Sequence, residues 1–301
     1  MYFFNPFSEY DKVMRPRYNF FKKAAKGKMD YHKYLQEYVT ALMEEYSAKK
    51  QKEDIPPEEE RRYSRAVRDT DMRINSLERD NVTPRFFLTD KGLIEFLTTM
   101  PVKSLKYIEG KWGDIEFYIY TPQTTYYCSC IVYDDGTKDF AVKPYDRATL
   151  TYEIEDINHP EKVFATIKES ERGLKNEYKD KETIDLIKHN GEESRKIFQF
   201  CINTLFYTMA FPEAVKDGCP KNIMNAQKSE FKGYPTKTLG VDERVIQRDK
   251  NSVTPHFRSG YFRHYTSDRY VNVKGEIRFI EATFVKGSAY TLLNEVKNEN
   301  I

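Results

Sequence analysis

At 301 residues, with 49 Lys+Arg against 47 Asp+Glu, the chain carries a net charge of +2. That balance excludes a polycationic coat protein, and the lack of any run of about 18 apolar residues excludes a membrane-spanning helix. The 20 Phe and 23 Tyr supply core bulk and argue against disorder, where aromatic residues are scarce. A chain of this length suggests one large or two modest domains and buries about 75% of its unfolded surface.

The apolar start, Met1 to Phe7, is too short for a signal peptide, and Glu9 and Asp11 follow it. Residues 1–80 read as a charged, helical region. Tyr31, Tyr34, Leu35, Tyr38, Val39, Leu42 and Met43 recur at the spacing of one helical face within Met29–Lys52. Pro56 and Pro57 break that helix, and Pro57 with Glu58–Glu60 reads as the first turn of another, to about Arg79. Few apolar residues punctuate this second helix. It reads as a solvated helix laced with i,i+4 ion pairs, or as an arm that docks a partner.

Residues 81–160 read mainly as strand, after a short helix at Leu93–Met100. Ile115–Tyr120 and Thr125–Tyr133 are aromatic and β-branched. Asp134-Asp135-Gly136 marks a hairpin turn before Phe140-Ala141-Val142, and Leu150–Ile154 is a fourth strand. An antiparallel meander is the economical arrangement. From 161 to 215 helix returns: Lys162–Ser170, Lys181–His189 and Glu192–Met209, the last apolar around most of its circumference and stopped at Phe211-Pro212.

The expected fold class is α+β: a helical N-terminal region over 1–80, then a core domain over 81–301 with a mostly antiparallel sheet, packed helices and a strand-rich basic C-terminal segment. Cys128, Cys130, Cys201 and Cys219 have no partners at zinc spacing and read as reduced thiols of a cytoplasmic protein. No metal or cofactor is expected. Phosphate-loop, nucleophile-elbow and His-Glu-x-x-His patterns are all missing, so an enzyme is the less favoured reading.

Charge is unevenly distributed. From residue 221 onward, 14 Lys+Arg face 9 Asp+Glu, a local net of +5 against −3 before it. Within this part, residues 253–287 concentrate His256, Arg258, Arg263, His264, Arg269 and Arg278 among Phe257, Tyr261, Phe262, Tyr265 and Tyr270. On a strand, His256 and Arg258 share a face, as do Tyr261 and Arg263. Arg interleaved with Tyr is material for binding phosphate and stacking bases. It is equally the material of a protein-binding hot spot, or of plain structure. A catalytic use needs His256 or His264 as acid or base beside an Arg-bound phosphate.

The segment Pro255-His256-Phe257-Arg258-Ser259-Gly260, followed by Arg263, His264 and the strand Ile277–Phe284 with Val285 and Gly287, resembles the C-terminal signature of a phage and plasmid family. The best-described member of that family is a type V-A anti-CRISPR protein. Tyr261 stands where the family has a second histidine, and Lys286 where it has an asparagine. The resemblance implies a mobile-element protein acting in the bacterial cytoplasm, which counteracts a defence system by binding a protein such as a CRISPR effector or its nascent chain. The binding residues would then be His256, Arg258, Tyr261, Arg263, His264, Arg269 and Arg278. Two alternatives stay open: an RNA- or ribosome-binding or metal-independent RNA-cleaving protein using the same segment, and a homo-oligomer that occludes another immune complex such as Gabija.

Overall fold

The computed structural model describes residues 1–24, 27–52, 54–105, 111, 113–133, 136–154, 162–163, 172–173, 180–242, 257–258, 261–280 and 283–284. It divides into two compact units, each assembled from separate stretches of chain. The first comprises Met1–Thr89, Lys111–Ile154 and Lys216–Leu239, and the second Asp90–Gly110, Glu155–Val215 and Gly240–Ile301.

Three helices open the first unit: α1 (Ser8–Ala24), α2 (Tyr31–Lys50) and α3 (Pro57–Arg79). The Asp30 side chain caps α2 by accepting from the Lys33 amide at 2.8 Å. Pro57 starts α3 with Glu58–Glu60 in its first turn, where their charge meets the positive end of the helix dipole. Met14 and Tyr18 of α1, Tyr34 and Leu35 of α2 and Ile74 of α3 form a shared apolar cluster.

A seven-stranded sheet completes this unit, in the order β5-β4-β3-β2-β1-β7-β6. The strands are β1 (Arg85–Leu88), β2 (Glu116–Tyr120), β3 (Thr125–Val132), β4 (Lys138–Pro144), β5 (Leu150–Glu153), β6 (Val215–Asp217) and β7 (Thr236–Leu239). The meander from β2 to β5 is antiparallel, as its alternating sequence and hairpin signals imply. The whole sheet is mixed, because β1 runs parallel to both β2 and β7. Parallel neighbours need a crossover rather than a tight turn. Residues 90–110 supply it between β1 and β2. Gly136, with φ +84, takes the left-handed conformation that the β3–β4 turn requires. Asp134 and Asp135 lie outside the described residues.

The two faces of the sheet differ. One bears Phe86, Leu88, Phe117, Ile119, Cys128, Cys130, Phe140, Val142 and Tyr152, all buried. The other mixes Phe87, Tyr118, Tyr120 and Tyr127 with Arg85, Glu116, Ser129, Asp139 and Lys143, also buried. Against this second face packs α3. The reading of α3 as a solvated helix or docking arm is therefore corrected for its C-terminal half, where Thr70, Met72, Arg73, Ile74 and Ser76 are buried, while residues 57–69 are exposed or half-buried. Its buried stripe is largely polar, so apolar periodicity could not reveal it. The Tyr118 hydroxyl meets Ser76 Oγ at 3.1 Å, Arg79 pairs with Glu116 at 3.5 Å, and Lys143 with Asp69 at 3.6 Å. Arg73 makes a two-pronged pair with Asp11 of α1, at 3.1 and 2.7 Å.

In the second unit, α4 (Lys91–Thr99) packs on α5 (Lys181–Ala210). Residues 181–189 and 192–209, read as separate helices, form one helix through Gly191. A mid-helix glycine costs about 1 kcal/mol relative to alanine, which the packing of the C-terminal half offsets: Phe198 to Tyr207 is almost wholly buried. Asn203 Nδ2 donates to the carbonyls of Leu97 and Met100 at 2.9 and 2.7 Å, satisfying the C-terminal end of α4. The Tyr207 hydroxyl donates to the Gly240 carbonyl and accepts from the Asp242 amide. Of the expected helix at Lys162–Ser170, only Lys162 and Val163 are described, and both are helical.

Two outcomes follow. Asp11→Ala leaves the Arg73 charge buried without its partner, and should cost about 3 kcal/mol in urea unfolding. All four cysteines are free; Cys128, Cys130 and Cys201 are buried and Cys219 is partly buried. Burial pushes the Cys130 thiol far up and the Cys219 thiol up less. Native protein should therefore expose at most one thiol, Cys219, to a disulfide reagent, and denatured protein all four.

Candidate binding sites

Two arrangements bring functional side chains together: a basic aromatic hairpin in the second unit, and an aromatic cavity in the first.

The hairpin pairs β8 (Tyr261–His264) with β9 (Ile277–Ile280). Direct partners are Tyr261 and Ile280, Phe262 and Phe279, Arg263 and Arg278, and His264 and Ile277. Partners across an antiparallel pair share a face. Phe262 and Phe279 therefore point one way, 5.7 Å apart between ring centroids, onto Phe206 and Phe211 of α5 and its end, with Phe96 of α4 beside Phe279. Tyr261, Arg263 and Arg278 lie on the other face.

Like charges directly opposite each other on a sheet destabilise it, so the support of Arg263 and Arg278 is informative. Arg278 pairs with Glu276 at 2.8 Å, at the surface. Arg263 rests on rings instead. Its Nη2 donates to the Tyr270 hydroxyl at 3.0 Å, and its guanidinium carbon lies 5.1 Å from the Tyr265 ring centre and 5.4 Å from that of Tyr270. Arg269 sits 4.7 Å over Tyr270, whose ring meets Tyr265 edge-on at 4.8 Å. The connecting loop is tied by Tyr265 and Gly275 backbone bonds at 3.1 and 2.7 Å, and Gly275 has φ +87.

Thus Tyr261, Arg263, Arg269 and Arg278 gather at one basic aromatic patch. His264 is placed apart from them, half-buried on the inner face opposite Ile277. Arg258 lies on a two-residue strand, Phe257–Arg258, whose backbone pairs with Thr283–Phe284. His256 lies outside the described residues, as does Gly260.

The cavity was not legible in the sequence. It encloses about 200 Å³ of the first unit. Its lining residues Tyr118 and Tyr120 belong to a column of flat groups: Phe87, behind the wall, stacks on Tyr120 at 4.9 Å, and Tyr120 on Tyr118 at 6.0 Å. The column continues through the Arg85 guanidinium, 4.9 Å from the Tyr118 ring centre and 3.9 Å from that of Tyr234. Arg85 is 3% exposed. Its Nη1 donates to the carbonyls of Asp80 and Thr83, and its Nη2 to the Asp80 carboxylate. Burial pushes the Tyr120 hydroxyl well up the pH scale, with Arg85 opposing. Alternation on β2 predicts that Tyr118 and Tyr120 share a face. It holds no hint that Arg85 and Tyr234 join them.

The hairpin's two faces predict opposite responses to mutation. Phe262→Ala should destabilise the second unit by about 3–5 kcal/mol in denaturant titration. Arg278→Ala should change stability by no more than about 0.5 kcal/mol, because its side chain is half exposed.

No family model matches the chain, and no curated protein matches it. A solved structure described as "Crystal structure of AcrVA2" superposes on 90% of this chain and 98% of its own, with 14% identity and a TM-score of 0.40.

Proposed function

We propose that this chain is a mobile-element protein that counteracts a bacterial defence system by binding a protein, as the C-terminal resemblance to the anti-CRISPR family implies. The contact surface in this reading is the outer face of the hairpin, with Tyr261, Arg263, Arg269 and Arg278. One observation supports it above the others: Arg263 is held in place by tyrosine rings, with no carboxylate partner among the described residues. A guanidinium pre-positioned on rings, opposite a second guanidinium, favours an acidic partner surface. The inner face anchors that patch through Phe262 and Phe279, so the patch meets a partner already ordered.

An RNA target is the second reading, favoured by Arg269 over Tyr270 with Tyr265 edge-on beside it, a grouping of cation and rings with the chemistry of a base platform. Salt dependence and capture separate the two. Tagged protein expressed in a bacterial host should retain a defence protein, and the Arg263→Ala/Arg269→Ala variant should retain at least about tenfold less, equal to ~1.4 kcal/mol. Capture of a defence protein that is indifferent to these substitutions removes the hairpin from the contact. Salt-sensitive binding of purified protein to RNA, with no protein captured, selects the RNA reading instead.

A further inference from the structure

One side of α1 is already used by the first unit: Met14 and Tyr18 are buried in the cluster shared with α2 and α3. Val13, Pro16, Phe20 and Ala24 follow one another at intervals of three or four residues, so they form a single line facing away from that cluster, about 17 Å long at 1.5 Å per residue. All four are exposed, Val13 by 55% and Phe20 by 71%, and Phe21 beside the line is 50% exposed. Water hydrates a lysine but does not satisfy an exposed ring, so the apolar line is the feature that calls for an occupant.

Charge narrows the class. Residues 12–29 hold seven Lys and Arg and no Asp or Glu; a chain total of +2 then leaves −5 for all the rest. The nearest carboxylates in sequence are taken: Glu9 by Lys12, Asp11 by Arg73 and Arg15, and Asp30 by the Lys33 amide at the start of α2. Arg17, Lys22, Lys23 and Lys28 have no carboxylate partner among the described residues, and Lys22 lies over the Tyr18 ring at 5.5 Å.

An occupant must therefore be anionic and must take in apolar side chains. A second copy fails the first condition, because it brings the same cations. Nucleic acid meets it but stacks on the faces of rings. Here Phe20 and Phe21 stand edge-on to each other, 5.6 Å apart at 87°, and Phe21 leans on Tyr34 at 5.7 Å, so the pair makes a wedge rather than a platform. A protein groove that enfolds an amphipathic helix needs more of the circumference than α1 has left. A bilayer surface asks only for apolar side chains that dip below flanking cations, which is the arrangement of an interfacial helix.

We propose that the outer face of α1 docks on an anionic lipid surface, with Val13, Phe20 and Phe21 entering the acyl boundary and Arg17, Lys22, Lys23 and Lys28 at the headgroups. This surface is separate from the hairpin and stands or falls without it.

Co-sedimentation of the full chain with lipid vesicles tests the idea. Phosphatidylcholine vesicles containing about one third phosphatidylglycerol should bind it at least about tenfold more tightly than phosphatidylcholine alone. Raising the salt from about 0.1 to 0.5 M should release it. Phe20→Ser should weaken binding about tenfold and leave the urea midpoint unchanged, because the ring lies at the surface. Phe20→Trp should still bind, and acyl-brominated lipid should quench the added tryptophan; the parent protein, whose one tryptophan is Trp112, gives the reference. The proposal is overturned if anionic vesicles at about 1 mM lipid do not bind the protein. Binding that Phe20→Ser leaves unchanged, or an added tryptophan that brominated lipid does not quench, overturns it as well. Phe20-dependent dimerisation or oligonucleotide binding without vesicle binding overturns it in favour of another occupant.

Discussion

Charged side chains in the seam between α3 and the sheet must each find an opposite charge before the first unit can close. Arg73, Arg79, Arg85 and Lys143 meet Asp11, Glu116, Asp80 and Asp69 there. Taking an ion out of water costs several kcal/mol, and a well-placed partner is what recovers it. The pairs tie together parts of the chain far apart in sequence: α1 to α3, α3 to β2 and α3 to β4. The helices of residues 1–79 are thereby committed to the sheet, in one arrangement.

That seam explains the aromatic excess. An apolar cover would leave the buried charges without partners, whereas tyrosine presents both a ring and a hydroxyl. Tyr118 shows both uses: its hydroxyl reaches Ser76 while its ring face meets Arg85. Arg85 in turn lies between two rings, so the same chemistry that holds the seam shapes the cavity beside it. The opposite face of the sheet carries no such burden and is built from Phe, Ile, Leu, Val and Cys, with Tyr152 at its edge strand.

In the second unit the logic is repeated on a smaller scale. Phe262 and Phe279 anchor the hairpin through edge-on and tilted ring contacts, while Arg263 and Arg269 lie on Tyr265 and Tyr270 on the outside. Arginine over tyrosine is therefore used twice. Buried, it keeps a cation in the core; nearer the surface, it holds one on the outer face of the hairpin. The difference lies in Asp80, which neutralises Arg85, where Arg263 has tyrosines.

Local signals along the chain determine α2, α3, β2 to β5 and the two halves of α5, though not their continuity through Gly191, because each follows from periodicity, a cap, a turn or a proline within a dozen residues. They also place Tyr261 and Arg263 on one face, since strand alternation needs no partner. Other features depend on contacts with other parts of the chain. The parallel strand β1, only four residues long, exists because β2 and β7 flank it. The polar stripe of α3 is buried because the sheet answers it. The Arg85 column joins residues 85, 118 and 234, and Arg278 comes opposite Arg263 only through the register of the hairpin. The net charge of +2 averages over all of this, and tertiary structure alone decides which cations are neutralised inside and which face outward.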